Sequence, residues 1–429
     1  MTSCREKRST KAVREDSEVF EVGASFHLFL QLVISDPLAI AYIFQKQIFN
    51  YYHSAVVQPR VSRLLGKSLG WVEGESEHRR MKKLVSSSLT NVFHNLVNTV
   101  QSTGNEDSAF NILPWTNKAI LNVIGHVAFL HDFEEGESAE SQQILQAQRR
   151  AVSAISQFTN FIVLMLLHCF PLLNHLLIAA LQAQGAVKLT IQSGVAKEMI
   201  RQNEKSVNPS VKVDHPDLLS NLCFIAGQET TSQTIAFSVL ELSQHPRVQS
   251  RLRLKFQTIQ GKPTYDDFLT KFLYLDVVLR ETLRLYPPLP YFERVSTKLD
   301  IIPLRYPVKL SNRDIVQEVH LGLGQTVIIP TMSLQRLDSI WEDGDPLPPQ
   351  EKLCSGWSNT LAFSDRPRTC PGHCLTIFKY KVILSALIAK FQLDDAGLPM
   401  TYSISSSLQP FVKGREDKGP QIPVKLTLL

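Results

Sequence analysis

Phe363-Ser-Asp-Arg-Pro-Arg-Thr-Cys-Pro-Gly372 runs straight into His373-Cys-Leu-Thr-Ile-Phe-Lys-Tyr-Lys-Val-Ile-Leu-Ser-Ala-Leu-Ile-Ala-Lys-Phe391. The first stretch is rich in turn formers and the second is a long apolar helical run, so Cys370 sits between a loop and the first turn of a helix. The positive end of the helix macrodipole beside a sulfur favours the thiolate, and a thiolate is a metal ligand. A lone Cys by itself reads as a buried structural residue. Here it comes with Phe363, Arg368 and Gly372 at the spacing Phe-x-x-x-x-Arg-x-Cys-x-Gly. Pro371 has no N–H, which leaves Gly372 and His373 as nearby backbone donors to the sulfur. A zinc reading of Cys370, His373 and Cys374 lacks a fourth ligand at recognisable spacing.

This loop resembles the haem-ligand loop of the haem-thiolate monooxygenases, the cytochrome P-450 family. The resemblance implies haem (iron protoporphyrin IX) as cofactor, Cys370 as the axial ligand of its iron, Arg368 beside a propionate, and Gly372 letting the backbone pass close to the porphyrin. An axial thiolate pushes electron density onto iron and favours O–O cleavage, so the implied task is oxygen activation rather than oxygen storage.

The chain has 429 residues, 44% hydrophobic and 20% charged, enough apolar material for a large core. No Gly/Ser-rich linker, low-complexity tract or internal repeat divides it. The expectation is a charged N-terminal segment over residues 1–23, without a membrane anchor, followed by one mainly α domain with a minor β-sheet region over 24–429. A net charge of +5 without interleaved basic and aromatic residues gives no sign of nucleic acid. Six cysteines scattered at 4, 169, 223, 354, 370 and 374 form no disulfide framework, which fits a reducing compartment.

Along the chain, Phe26 to Ile34 reads as strand, and Asp36-Pro37 as a helix cap with proline at the first helical position. His78-Arg-Arg-Met-Lys-Lys83 holds five basic residues in six positions. Its plain reading is a solvated helix face. His78 and Lys82 also share one face at i,i+4, and in the resembling family that pair meets the haem propionates. The other bases are then free to steer an acidic electron-transfer partner. Lys82 stands where the family carries Arg, with the loss of bidentate geometry. Pro114-Trp-Thr-Asn117 opens a helix to about Phe129. Phe158 to Leu181 is strongly apolar but interrupted by His168, Pro171, Asn174 and His175, so it reads as core rather than a span. By resemblance it roofs a substrate entrance and touches a membrane surface peripherally.

Asp217 to Gln244 is expected as one helix stopped at His245-Pro246. Its Ala226-Gly-Gln-Glu-Thr-Thr231 carries a Gly, which costs a helix about 1 kcal/mol. The element resembles the family's opened helix over the iron, where Glu229 and Thr230 would relay protons. Tyr274 to Tyr286 forms a helix ended by Pro287-Pro288. On it Glu281 and Arg284 are i,i+3 partners on a face shared with Val277, Val278 and Leu285, while Asp276 and Arg280 form a separate i,i+4 pair. The resemblance makes Glu281 and Arg284 a structural brace, Arg294 in Pro-Tyr-Phe-Glu-Arg294 a propionate contact, and Pro410-Phe-Val412 part of a loop over the substrate.

The likeness runs from about residue 24 to the C-terminus and is nearest to fungal microsomal members. It implies insertion of one oxygen atom from O2 into an apolar small molecule, a secondary metabolite such as a terpenoid, with electrons from an NADPH-dependent reductase. It also places the protein at the cytosolic face of the endoplasmic reticulum; the absent anchor alone points to the cytoplasm. Several features depart from the family. Arg366 replaces a Gly expected to take a positive φ, no Arg lies between Leu337 and Asp365 to complete a Phe-x-Pro-x-Arg element, the segment between Asp217 and Asn221 is short, and the anchor is missing. The expectation is therefore a truncated, divergent member. A catalytically decayed haem binder, a haem-thiolate isomerase or dehydratase that needs no reductase, and a haem-free scaffold stay open.

Overall fold

The computed structural model describes residues 19–23, 30–65, 69–80, 82, 109–129, 133–153, 166, 170, 226–259, 263–310, 313–337, 341, 356–404 and 407–429. Residues 1–18 of the expected charged segment 1–23, most of the apolar stretch 158–181 and the segment 217–221 lie outside these residues, while the last five residues of that charged segment, Val19–Gly23, are the first strand of the fold.

Strand β1 (Val19–Gly23) pairs antiparallel with β2 (Leu30–Ile34), and helix α1 (Pro37–Ala41) follows. The expected cap is present: Asp36 Oδ1 accepts the Ala39 N–H at 2.9 Å. Its second oxygen accepts the backbone N–H groups of Arg305 at 2.8 Å and Tyr306 at 3.2 Å, so a local helix signal also anchors a distant strand. A short β3 (Tyr51–Tyr52), α2 (Val57–Leu65) and α3 (75–80) come next. Strand β4 (Ala109–Asn111) leads into α4 (Ile112–Phe129), and α5 (Ala139–Ser153) lies beyond it. Helix α4 starts two residues ahead of Pro114, because the Asn111 side chain accepts the Leu113 N–H at 3.3 Å and opens the turn there.

The central helix α6 (Gly227–Gln244) is buried nearly all round despite its polar sequence. Its hydroxyls make that possible by folding back on the helix or reaching its neighbours. Thr234 donates to the Thr230 carbonyl at 2.8 Å, Ser232 donates to Asn117 Oδ1 at 2.6 Å, and Ser238 lies 2.8 Å from both Thr282 and Tyr380 hydroxyls. Pro246 ends α6 and becomes the first residue of α7 (Pro246–Gln257). Then come α8 (Tyr265–Thr270), with a Thr264/Asp267 capping box, and α9 (Leu273–Leu285).

Strands β5 (Phe292–Ser296), β6 (Asp300–Lys309), β7 (Ile315–Leu321) and β8 (Thr326–Ile329) precede the Cys370 loop and α10 (His373–Lys390). The chain closes with β9 (Phe391–Asp395), β10 (Met400–Ile404), β11 (Leu408–Val412) and β12 (Pro423–Leu428). A five-stranded sheet has the order β1-β2-β8-β5-β3, a three-stranded sheet runs β4-β12-β9, and β6-β7 and β10-β11 are hairpins. One apolar cluster joins α4, α6, α9 and α10; the other joins α1 to the five-stranded sheet. This is the mainly α fold with small sheets that the sequence predicts. Among the described residues no helix is long and apolar enough to cross a membrane.

Helix α9 differs in detail from its sequence reading. It buries Leu275, Leu279, Thr282 and Leu283 and leaves Val277 53% exposed, so the buried face is offset from the expected one. Asp276 pairs not with Arg280 but with Lys381 of α10 at 2.8 Å. The Arg280 guanidinium lies 6.0 Å from the Trp357 ring centroid. An interhelical partner at 5% exposure displaces a solvent-side i,i+4 neighbour because the same pair is less screened when buried.

Candidate functional site

A cavity of about 480 Å3 opens between α6, the Cys370 loop and the start of β5, with Cys370, Thr230, His78, Arg294 and Arg368 in its wall. The sulfur is positioned by local backbone. The Cys370 N–H donates to the Phe363 carbonyl at 2.9 Å, closing the loop that the motif spans. Burial pushes the Cys370 thiol up, while the Gly372 N–H and the charges of Lys379 and Lys82 pull the other way. Gly372 is a donor to the sulfur as expected, but the His373 N–H instead faces the Cys370 carbonyl at 3.4 Å, with its ring Nδ1 2.9 Å from the same oxygen. Among the described residues no group of three His, Cys, Asp or Glu side chains is gathered as for a bare metal ion.

The left-handed residue of this loop is Ser364, at φ 60°; Arg366 is not among the positive-φ positions. The strain expected at Arg366 is thus absent, since the turn takes its left-handed step two residues earlier. A Cβ on Gly372 would meet the Cys370 sulfur at 3.9 Å, an ordinary contact.

On the opposite wall the weakened start of α6 has its carbonyls occupied by side chains. The Thr230 hydroxyl donates to Ala226 O at 2.7 Å, Thr231 to Gly227 O at 2.8 Å, and the buried Lys379 ammonium also donates to Gly227 O at 3.2 Å. Thr230 lines the cavity and Glu229 does not. The Glu229 carboxylate is turned toward the C-terminal hairpin, where Oε1 accepts from Ser407 Oγ at 2.7 Å and Gln409 Nε2 at 2.8 Å. The hairpin residue in the cavity wall is Ile404; residues 410–412 are strand.

The basic residues gather at one side. Arg294 donates from Nη1 to the Glu293 carbonyl at 2.9 Å, and Arg368 donates from Nη1 to Val72 O at 3.2 Å and from Nη2 to Glu73 Oε2 at 2.9 Å. Each keeps a buried Nε–H with no protein partner. Burial, then the neighbouring Arg368, lowers Arg294 to about 10, a measure of how strongly this pocket calls for anions. His78 is held neutral at about 4 by burial and by the charges of Arg368 and Lys82. Its ring lies 5.7 Å from that of Phe49, which also carries the Arg368 guanidinium at 5.7 Å. Lys82 is not in the wall: its ammonium donates to the Pro367 carbonyl at 2.8 Å and braces the Cys370 loop. Two orphaned guanidinium donors beside a buried sulfur fit a haem, whose two carboxylates and iron supply what these groups lack.

Glu281 and Arg284 form their pair at 2.5 Å, with Arg284 16% exposed and Glu281 at the rim. Where the family's further arginine is missing, Gln335 ties the end of α9 to the following segment. Its Nε2 donates to the carbonyls of Leu283 at 3.2 Å and Arg284 at 3.1 Å, its Oε1 accepts the Leu361 N–H at 2.8 Å, and its carbonyl accepts from Arg284 Nη1 at 2.8 Å. Sequence reasoning missed Gln335, His53 and Glu73. The latter two are joined across twenty residues with no shared motif: Glu73 Oε1 accepts from the His53 backbone N–H at 2.7 Å and lies 2.5 Å from its ring Nδ1.

Comparison with known proteins adds an independent line. The family model described as Cytochrome P450 matches residues 33–409. The chain is 26% identical to the cytochrome P450 monooxygenase claW of Ampulloclitocybe clavipes, over 92% of this chain and 83% of that protein. Cytochrome P450 monooxygenase 205 of Postia placenta is 25% identical over 92% and 83%. A ganoderic acid synthetase of Ganoderma lucidum is 28% identical over 57% and 49%.

Proposed function

The chain belongs to the cytochrome P450 family, an oxidoreductase family that normally binds haem, and from that premise we propose that it inserts one oxygen atom of O2 into an apolar small molecule, using electrons from an NADPH-dependent reductase. The observation that carries this reading is the cavity with Cys370 on one wall, Thr230 on the opposite wall and aliphatic side chains in its lining. Bound here, haem would supply dioxygen activation, and Cys370 would hold its iron. Arg294 and Arg368, through their unpartnered Nε–H groups, and His78 would hold its carboxylates, while Lys82 fixes the ligand loop at Pro367.

The residues of the chain do the rest. The Gly372 N–H at the sulfur tempers the thiolate charge. Thr230, its hydroxyl already donating to Ala226 O, holds a proton-bearing oxygen at the cavity wall. Glu229 acts one step behind it, held by Ser407 and Gln409, as the acid that resupplies that proton. Val57, Val61, Val123, Ile124, Leu289 and Ile404 exclude water and favour an apolar substrate, for which a terpenoid-like secondary metabolite is our choice. By family analogy we place the reaction at the cytosolic face of the endoplasmic reticulum.

The test is reconstitution of the purified haem-loaded protein with an NADPH-dependent reductase and a panel of apolar terpenoids under isotopically labelled dioxygen. Product carrying one labelled oxygen, and only with reductase present, is the expected result. Unlabelled product formed equally well without reductase would move the protein to isomerase or dehydratase chemistry.

A further inference from the structure

We propose that Glu73 is a positioning residue for the haem site: from behind the cavity wall one buried carboxylate fixes the His53 ring, sets Arg368 for a haem carboxylate and offsets the positive charge buried there. The inference rests on the haem reading above.

Glu73 itself does not line the cavity, whereas His53 and Arg368 both do. The three side chains are 11%, 8% and 7% exposed, so their mutual bonds form in a weakly screened setting. The carboxylate is fully used. Oε1 takes the His53 backbone N–H and faces the His53 ring, and Oε2 takes Arg368 Nη2 at 2.9 Å. The segment before α3 is thereby tied to the turn after β3 and to the ligand loop itself. Binding Nη2 from behind turns the remaining Nε–H of Arg368 into a donor with no other protein partner. Facing His53 Nδ1 fixes that ring as the neutral Nδ1–H tautomer, in keeping with the way burial and the Arg294 charge hold His53 below its ordinary range.

Burial works against the Glu73 carboxylate, but the bonds from His53 and the Arg368 charge outweigh it and keep the group ionised. Of the cations around the site, Arg368 is the one that Glu73 bonds directly and offsets, at 2.9 Å. Without Glu73 an unpaired buried charge would remain, which is strongly unfavourable.

The geometry dictates the variant. In Glu73→Gln one amide end must be NH2, yet His53 and Arg368 both present donors, so either orientation sets a donor against a donor. Removing negative charge beside the haem also makes its reduction more favourable. We therefore expect Glu73→Gln, loaded with haem, to show a more positive ferric/ferrous midpoint potential than wild type and to lose haem to a scavenging apoprotein about tenfold faster, equivalent to ~1.4 kcal/mol. Glu73→Asp keeps the charge but is too short to reach both partners. It should return the wild-type potential while still losing haem faster. A wild-type potential in Glu73→Gln, or wild-type haem loss in Glu73→Asp, would overturn the assignment, and the second readout stands even if the Gln variant does not fold. If wild type itself takes up no haem, the haem reading fails along with it; a variant indistinguishable from a haem-loaded wild type sinks this inference alone.

Discussion

Thr230 stands in the cavity wall with its hydroxyl turned back on the Ala226 carbonyl, and that placement sets what its loss would do. Proton delivery by a positioned side chain is worth ~100-fold or more in rate, so Thr230→Ala is expected to cut product per NADPH at least about tenfold while peroxide rises and NADPH consumption continues. Unchanged coupling would reduce Thr230 to a helix residue. His78 makes a prediction about acid. Its folded value of about 4 lies below the ordinary 6.5, so the unfolded chain takes up a proton first as pH falls. Stability from this group is full above pH 6.5 and is lost progressively between there and about 4, with His53 acting in the same direction. For the haem-free protein, the drop in melting temperature from pH 7 to pH 5 should therefore be smaller for His78→Gln than for wild type. At this scale Cys370, Thr230, Arg294 and Arg368 were legible because short spacings carry them. His53 and Glu73 were not, because a carboxylate's partners twenty and 295 residues away leave no periodic trace in the chain.

Elements were readable where their ends are written locally. Asp36-Pro37 and His245-Pro246 mark helix boundaries through backbone chemistry that a sequence displays directly, and the structure places both where expected. Pairings between elements were harder. Asp276 had an arginine at i,i+4 and chose a lysine on α10, since burial rewards the interhelical partner. Arg366 was expected to carry strain, yet the loop takes its left-handed step at Ser364. Gln335 shows the same limit: 1% exposed, it stitches the end of α9 to the segment before the Cys370 loop through three side-chain bonds. Gln335→Leu keeps the volume and strands the Leu361 N–H and two carbonyls. Each buried group left without a partner costs about 1–3 kcal/mol, so a fall in unfolding free energy of at least ~2 kcal/mol is expected by denaturant titration. A change within experimental scatter would mean that the α9 end and the segment before the Cys370 loop are held together by other contacts.

For the whole molecule, the fold exists to bring a sulfur on one helix's N-terminal loop beneath the weakened start of another, with two guanidiniums at the side. Cys370 and Cys374 are both free thiols in this region, but only Cys370 faces the cavity; the Cys374 sulfur lies 3.2 Å from His373 Nε2 on the outside. The most direct test of the account is the carbon monoxide difference spectrum of the reduced, purified protein, recorded for wild type, Cys370→Ala and Cys374→Ala. The account requires the long-wavelength band of a thiolate-ligated haem in wild type, its loss in Cys370→Ala and its retention in Cys374→Ala. A wild-type protein without that band, or a band that survives Cys370→Ala and disappears in Cys374→Ala, would contradict it.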